Sequence, residues 1–179
     1  MNTRMQTEFD RLEADTKDLL TYLNKFEGAS LNRSPRPEVF TALQNCEHLM
    51  KAEVGAVEYI KKKLSFDPKL KRANLRTKMR LPLLLFATKL PIKIKAPKGM
   101  EKEDLPDQSD FFELAKRWQR NRDDMAAYLR SLPEEHYDKE LFKHPLAGKL
   151  TLAAMLRFHR EHLARHRRQI KRTLKEMGY

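Results

Sequence analysis

Three histidines in the last part of the chain constrain its fold more than any other feature. Over residues 152–174, apolar side chains recur at three- and four-residue steps and form one stripe of an amphipathic helix, for which Thr151 is placed as the N-cap. At about 100° per residue, His159, His162 and His166 fall inside the same stripe. Three imidazoles are therefore expected to point towards the core.

His162 and His166 form a candidate metal-binding pair. They are four residues apart, so on a helix their side chains lie one above the other, with Cβ atoms roughly 6 Å apart. Two ring nitrogens at that spacing can both reach one divalent ion at about 2.1 Å. On spacing alone, a chance pair on a charge-rich helix is the commoner explanation. A metal site needs a third ligand from another helix.

Length and composition favour a single helical domain covering residues 1–179, large enough to bury a core without a disulfide or a structural metal. Only five glycines occur, and the nine prolines cluster between periodic segments, which favours long helices. The single cysteine, Cys46, is expected to be a small buried apolar residue. No segment has the pattern of a signal peptide or a membrane span, so we expect a cytoplasmic protein without a transmembrane segment.

Hydrophobic periodicity predicts an all-α fold with four main helices. The predicted helices cover residues 5–26, 37–64 and 111–131 and the segment that follows Thr151. Pro37 suits the first turn of the second helix, and Asp110 is placed to cap the third. Trp118, on the third helix, is expected in the core.

The connection between the second and third helices carries the charge of the chain. Residues 61–98 contain thirteen lysines or arginines and one acid, Asp67, which accounts for the net charge of +12. Within it, residues 82–86 could begin a short helix that ends before Pro91, and residues 92–95 alternate like a lone strand or an extended arm. A solvated crossover is the simplest interpretation. The alternatives are an anion-binding rim of an active cleft, which we favour among them, an amphipathic contact with anionic membrane, and a nucleic-acid patch.

Two stretches of the chain carry recognisable motifs. Residues 144–170 have the pattern HPxxGxLT…HxxxHxxQI, which resembles the closing motif of the DinB-like superfamily of small metal-binding bundles. Residues 43–53, LQNCEHLMKAE, are similar to its other signature, an apolar helix with one histidine, here His48, followed five residues later by a glutamate, here Glu53. The Trp-Ser pair that usually precedes this helix in the family is replaced here by Glu-Val-Phe. The resemblance extends over about residues 19–171, most of the chain.

The resemblance implies a four-helix bundle of DinB-like type, here with a long basic crossover between helices 2 and 3. It also implies a three-histidine metal site formed by His48, His162 and His166. Only the family pattern identifies His48 as a ligand, because on its own helix this residue lies at the margin of the apolar arc. His144 is expected to be structural, and His159 to be a core residue or a neighbour of the ligands rather than a fourth ligand.

Three neutral imidazoles without a carboxylate leave coordination positions for water or substrate, as is typical of catalytic sites. Zn²⁺ and Ni²⁺ suit imidazole best, with Fe²⁺ and Mn²⁺ as alternatives. The resemblance implies a metal-dependent enzyme, either a thiol-dependent S-transferase that uses a low-molecular-weight thiol or a hydrolase. The basic segment would fit a small anionic substrate. Glu53 or, as a second choice, Gln169 could orient ligands or move a proton.

Two other classes of function stay open. One is a stress-related metal-binding bundle without turnover. The other is nucleic-acid binding through residues 61–98, which is disfavoured because that segment has few aromatics, Phe66 and Phe86 only, and no base-reading motif. The apolar run at residues 81–86 predicts a homodimer.

Overall fold

Four long helices form the body of the protein. The computed structural model describes residues 1–87 and 99–179. In these residues the long helices are α1 (Thr3–Leu23), α3 (Ala42–Leu64), α5 (Phe111–Ser131) and α6 (Leu152–Glu176). The shorter elements are α2 (Gly28–Leu31), α4 (Leu75–Ala87), β1 (Phe142–His144), β2 (Gly148–Leu150) and the 3-10 turns Lys102–Asp104 and Glu134–His136. α1 and α3 pack against α6, and α5 packs against α3. The predicted all-α four-helix bundle is confirmed.

Two side-chain caps lie where the sequence predicts them. The Thr151 hydroxyl oxygen accepts a hydrogen bond from the backbone N–H of Ala154 at 3.3 Å and starts α6. Asp110 accepts from the backbone N–H of Glu113 at 2.8 Å and starts α5. Each cap satisfies an amide that has no partner inside the helix, so it fixes where the helix begins.

α3 begins later than predicted. Thr41 and Gln44 form a capping box, in which each side chain accepts a hydrogen bond from the other residue's backbone N–H. This box satisfies two otherwise unpaired amides, whereas Pro37 would satisfy none, so Pro37 stays outside the helix. His48 consequently lies in the second turn of α3.

The crossover contains α4, which begins well before the predicted start at Pro82. Asn74 accepts a hydrogen bond from the backbone N–H of Thr77 at 3.0 Å and caps the helix, and Pro82 lies inside it. α4 packs against α6 and β2. The alternating segment at residues 92–95 lies outside the described residues.

A short β-hairpin, which the sequence does not predict, precedes α6. β1 and β2 pair antiparallel, with His144 opposite Gly148. Gly148 has a φ of +74°, a backbone conformation that residues other than glycine rarely adopt. The Nδ1 atom of His144 accepts hydrogen bonds from the backbone N–H groups of Leu146 and Ala147, so this histidine holds the turn, in keeping with its predicted structural role.

A buried polar network joins three of the helices. The guanidinium of Arg122 on α5 donates to Glu53 on α3 at 2.9 Å, and to Glu13 and Thr16 on α1 at 2.7 and 3.1 Å. Trp118 donates its indole N–H to Glu53 at 3.0 Å, and it is buried as predicted. Burial raises the pKa of the Glu53 carboxyl, while the charge and hydrogen bonds of Arg122 act in the opposite direction.

The rest of the described core is mainly apolar and continuous across the bundle. Cys46 is fully buried in it, and burial raises the pKa of its thiol, so it packs as a neutral group, as predicted. Within residues 1–87 and 99–179, no helix combines the length and the hydropathy needed to cross a membrane.

Candidate metal centre

α3 and α6 bring three imidazoles together inside the bundle. The Nε2 atoms of His48 on α3 and His162 on α6 are 3.3 Å apart. With His166, also on α6, the three rings each offer one nitrogen within 4.8 Å of the others. His48 is buried because α6 packs over its side of α3, although its own helix places it at the margin of the apolar arc. The structure thus unites the three histidines that the resemblance implies.

The spacing of the rings suits a single ion. Two imidazole ligands about 2.1 Å from a tetrahedral ion have their nitrogens roughly 3.4 Å apart, close to the 3.3 Å between His48 and His162. Two nitrogens that bind one ion cannot be more than about 4.2 Å apart. Any two ring nitrogens whose separation is near the 4.8 Å limit must therefore move closer together when an ion binds.

Asn45 fixes the tautomer of His166. The Nδ2 group of Asn45 donates to the carbonyl oxygen of Thr41 at 2.8 Å, which turns its Oδ1 towards Nδ1 of His166, 2.7 Å away. Nδ1 must therefore carry the proton, and Nε2 of His166 keeps a free lone pair. Sequence reasoning missed this residue. Its signal is a polar side chain three residues before His48, on the same side of a helix that is otherwise apolar there.

All three imidazoles are held neutral by their surroundings. Burial lowers the pKa of His48, although a hydrogen bond with the backbone of Met100 acts in the opposite direction. Burial holds the pKa of His162 well below 6.5, and repulsion from the other two rings, when they are protonated, acts in the same direction. Burial, His48 and Arg165 together lower the pKa of His166 to about 3. At neutral pH each ring therefore keeps a lone pair on one of its two nitrogens, which is the state that binds a metal.

Aromatic side chains cover two of the rings. Phe158 stacks on His162 with ring centroids 5.3 Å apart, and Phe40 lies tilted against His48 at 5.8 Å. The buried Nδ1 atom of His162 has no hydrogen-bond partner among the described residues. Low polarity around the rings strengthens the interaction of their free nitrogens with a cation.

The other candidates from the sequence do not join the trio. Both carboxylate oxygens of Glu53 accept hydrogen bonds from α5, so this residue is not free to orient a ligand or move a proton at the cluster. Gln169 is half-buried, and its side chain makes no hydrogen bond to another described residue. His159 is buried between Phe142 and Phe158, where burial is the main cause that lowers its pKa to about 3.

Arg165 is the cation whose charge acts on the cluster from α6. Its charge contributes to the lowered pKa of both His162 and His166. Within the described part of the chain, its side chain has neither a hydrogen bond nor an ion pair. A guanidinium in this state can bind a carboxylate or a phosphate through two parallel hydrogen bonds.

The fold and the cluster together define the class: four-helix bundles with three histidines gathered between two of the helices. The chain belongs to the DinB superfamily, whose family model matches residues 11–170. No curated protein sequence matches it.

A solved structure similar in fold is that of YfiT from Bacillus subtilis. The two chains are 16% identical, with a TM-score of 0.59, and the similarity covers 100% of this chain and 91% of that one. YfiT is described as a probable metal-dependent hydrolase with an unusual four-helix bundle topology. At this level of identity, the similarity shows that the fold is shared.

The role of Asn45 gives a testable prediction. Asn45→Ala removes the acceptor that orients His166, so the affinity for Zn²⁺ should fall about 10–100-fold, as is usual when such a supporting residue is lost. Competition with a chromophoric chelator would measure it. Asn45→Asp keeps an acceptor oxygen and should lose less. An affinity unchanged in Asn45→Ala, with the fold intact by circular dichroism, would show that His166 does not bind the ion through this arrangement.

Proposed function

We propose that this chain is a metal-dependent enzyme that holds one divalent ion through His48, His162 and His166 and acts on a small substrate. Zn²⁺ and Ni²⁺ are the preferred ions, with Fe²⁺ and Mn²⁺ as alternatives. The reaction is hydrolysis or transfer of a thiol to an electrophile.

One observation supports this proposal more than any other. Three neutral, mostly buried imidazoles from two helices lie within 4.8 Å of one another, and no carboxylate among the described residues belongs to the group. Neutral imidazoles suit a divalent transition metal, and three protein ligands leave at least one coordination position open. Structural zinc sites, in contrast, are closed by four protein ligands.

The residues around the trio have separate roles in the proposed reaction. Asn45 holds His166 in the tautomer that leaves Nε2 free, and Phe158 keeps water from one face of His162. Arg165 would bind the anionic group of the substrate. When bound, the ion supplies a nucleophile at neutral pH by lowering the pKa of a water or of a low-molecular-weight thiol.

Hydrolysis and thiol transfer are both retained as candidate reactions, because the described residues suit either of them. YfiT, which shares the fold, is described as a probable metal-dependent hydrolase, and this favours hydrolysis as the first reaction to test. A stress-related metal-binding bundle without turnover is the second candidate. It is supported by the fact that both carboxylate oxygens of Glu53, the general base that the sequence suggests, already accept hydrogen bonds from α5.

Metal analysis followed by an activity screen tests the proposal. Untagged protein, reconstituted with Zn²⁺ or Ni²⁺ and dialysed, should retain about one ion per chain. His162→Ala should retain almost none, and Arg165→Gln should retain the ion. The loaded wild type is then assayed with activated esters and amides, and with electrophiles in the presence of small thiols.

The outcomes separate the candidates. Turnover that requires the ion and is lost in His162→Ala supports an enzyme, and a preference for anionic substrates that disappears in Arg165→Gln supports the role of that arginine. One bound ion with no turnover of any substrate supports the non-catalytic bundle. Equal metal content in the wild type and His162→Ala would contradict both.

A further inference from the structure

α4 presents an apolar stripe that the bundle does not cover. Leu75, Met79 and Leu83 are 76%, 59% and 70% exposed. Because they are four residues apart, they lie along one side of the helix over about 12 Å. Scattered apolar residues on a surface are ordinary, but a row of three large ones on one helix marks a contact site.

The opposite side of α4 is packed and holds the helix in place. Thr77, Leu81 and Leu85 are buried at the same four-residue spacing, where α4 packs against α6 and β2. At about 100° per residue, the two rows are separated by roughly 200° around the helix. The exposed stripe therefore faces away from the bundle. Of the run at residues 81–86 from which we predicted a homodimer, Leu81 and Leu85 belong to the packed side.

Positive charges flank the exposed stripe. Arg76 and Lys78 are exposed on opposite sides of it. Neither side chain has a hydrogen bond or an ion pair within residues 1–87 and 99–179. They belong to the segment 61–98, whose thirteen basic residues and single acid give the chain its net charge of +12. An apolar row between cations is the pattern of a helix that lies in the plane of a membrane interface.

We propose that α4 docks on the surface of an anionic lipid bilayer, with Leu75, Met79 and Leu83 inserted between headgroups and Arg76 and Lys78 bound to lipid phosphates or carboxylates. Two observations favour a lipid bilayer over a second copy of the chain or a nucleic acid: the positive charge of residues 61–98 and the apolar character of the stripe. A second copy of the chain would bring two strongly basic segments together, and their repulsion opposes a dimer through this side. Nucleic acid would leave the apolar stripe in water, and the stripe has no aromatic ring on which bases could stack.

Sedimentation of the full-length protein with lipid vesicles tests this surface. At about 0.05 M salt, the protein should bind vesicles of phosphatidylcholine with about 30 mol % phosphatidylserine at least tenfold more strongly than vesicles of phosphatidylcholine alone. The double variant Met79→Ser/Leu83→Ser should bind the anionic vesicles at least about tenfold more weakly than the wild type. Arg76→Gln/Lys78→Gln should lose a similar factor at low salt.

Phe112→Ser, at an exposed position on α5, is the matched control and should bind as the wild type does. Thermal unfolding of each variant would show that the bundle is intact. Absence of binding to anionic vesicles, or equal binding by Met79→Ser/Leu83→Ser, would overturn the proposal. Binding to duplex DNA without binding to vesicles, or a dimer that dissociates in Met79→Ser/Leu83→Ser, would assign the surface to nucleic acid or to a second copy instead.

Discussion

Replacing Arg122 with alanine should lower the free energy of unfolding by about 3–5 kcal/mol. Arg122 is 1% exposed, and its guanidinium is the only cation that the hydrogen bonds of the described residues place on Glu53. Without it, Glu53 would be a buried carboxylate with one remaining donor, Trp118, so it must either stay charged at high cost or take up a proton. Urea unfolding of the metal-free protein would measure the change.

The double variant Glu53→Gln/Arg122→Met separates loss of an ion pair from loss of packing. The glutamine side chain would carry no charge, and its amide oxygen can still accept from Trp118, while methionine fills much of the space of the arginine stem. Because buried ion pairs are costly to desolvate, removing both charges should destabilise the protein less than Arg122→Ala alone. A loss below about 1 kcal/mol in Arg122→Ala would show that the network does not join α1, α3 and α5 as the hydrogen bonds indicate.

The network was open to partial prediction from the sequence. Arg122 follows Trp118 by four residues and precedes Met125 by three, so it lies within the apolar stripe of α5, where a charged residue needs a partner. That partner, Glu53, is on another helix. A pattern along one helix cannot show how α3 turns relative to α5, so the pairing required the structure.

The elements that the sequence predicts well are those specified by local signals. Helical periodicity and caps such as Thr151 and Asp110 are local, and they placed α5 and the start of α6 well. The strands of the hairpin have three residues each, too few for an alternating pattern to be recognised. The sequence predicts too short an α4 because Pro82 suits a helix start, whereas Asn74 supplies the actual cap.

The candidate site was also only partly visible in the sequence. Helical spacing identified His162 and His166 as a pair, whereas His48 came only from the similarity of its segment to a family motif. Asn45 was missed because its hydrogen bond to His166 spans 121 positions in the sequence. Glu53 is a second example: its hydrogen bonds to Trp118 and Arg122 on α5, rather than its spacing along α3, decide what its carboxylate binds.

Adding Zn²⁺ should reverse the order of stability of the wild type and the His162→Leu variant, and this is the largest effect expected at the proposed metal centre. In metal-free protein, His162→Leu removes a half-buried ring whose buried Nδ1 atom has no hydrogen-bond partner among the described residues. Leaving such an atom unpaired normally costs about 1–3 kcal/mol. The variant should therefore be as stable as the wild type or up to about 2 kcal/mol more stable. With Zn²⁺ free at about 1,000 times its dissociation constant, the wild type should gain roughly 4 kcal/mol and the variant almost nothing.

Acidification of the metal-free proteins gives an independent check on the same ring. Burial holds the pKa of folded His162 well below its ordinary value of 6.5, while the unfolded chain takes up its proton near 6.5. The unfolded state then binds more protons below that pH, so the wild type should lose stability as the pH falls from about 6.5, and His162→Leu should lose less. Urea unfolding at several pH values, with and without Zn²⁺, would measure both effects. A wild type that gains no stability from Zn²⁺, Ni²⁺, Fe²⁺ or Mn²⁺ would show that the three imidazoles are a packed core cluster rather than a metal centre.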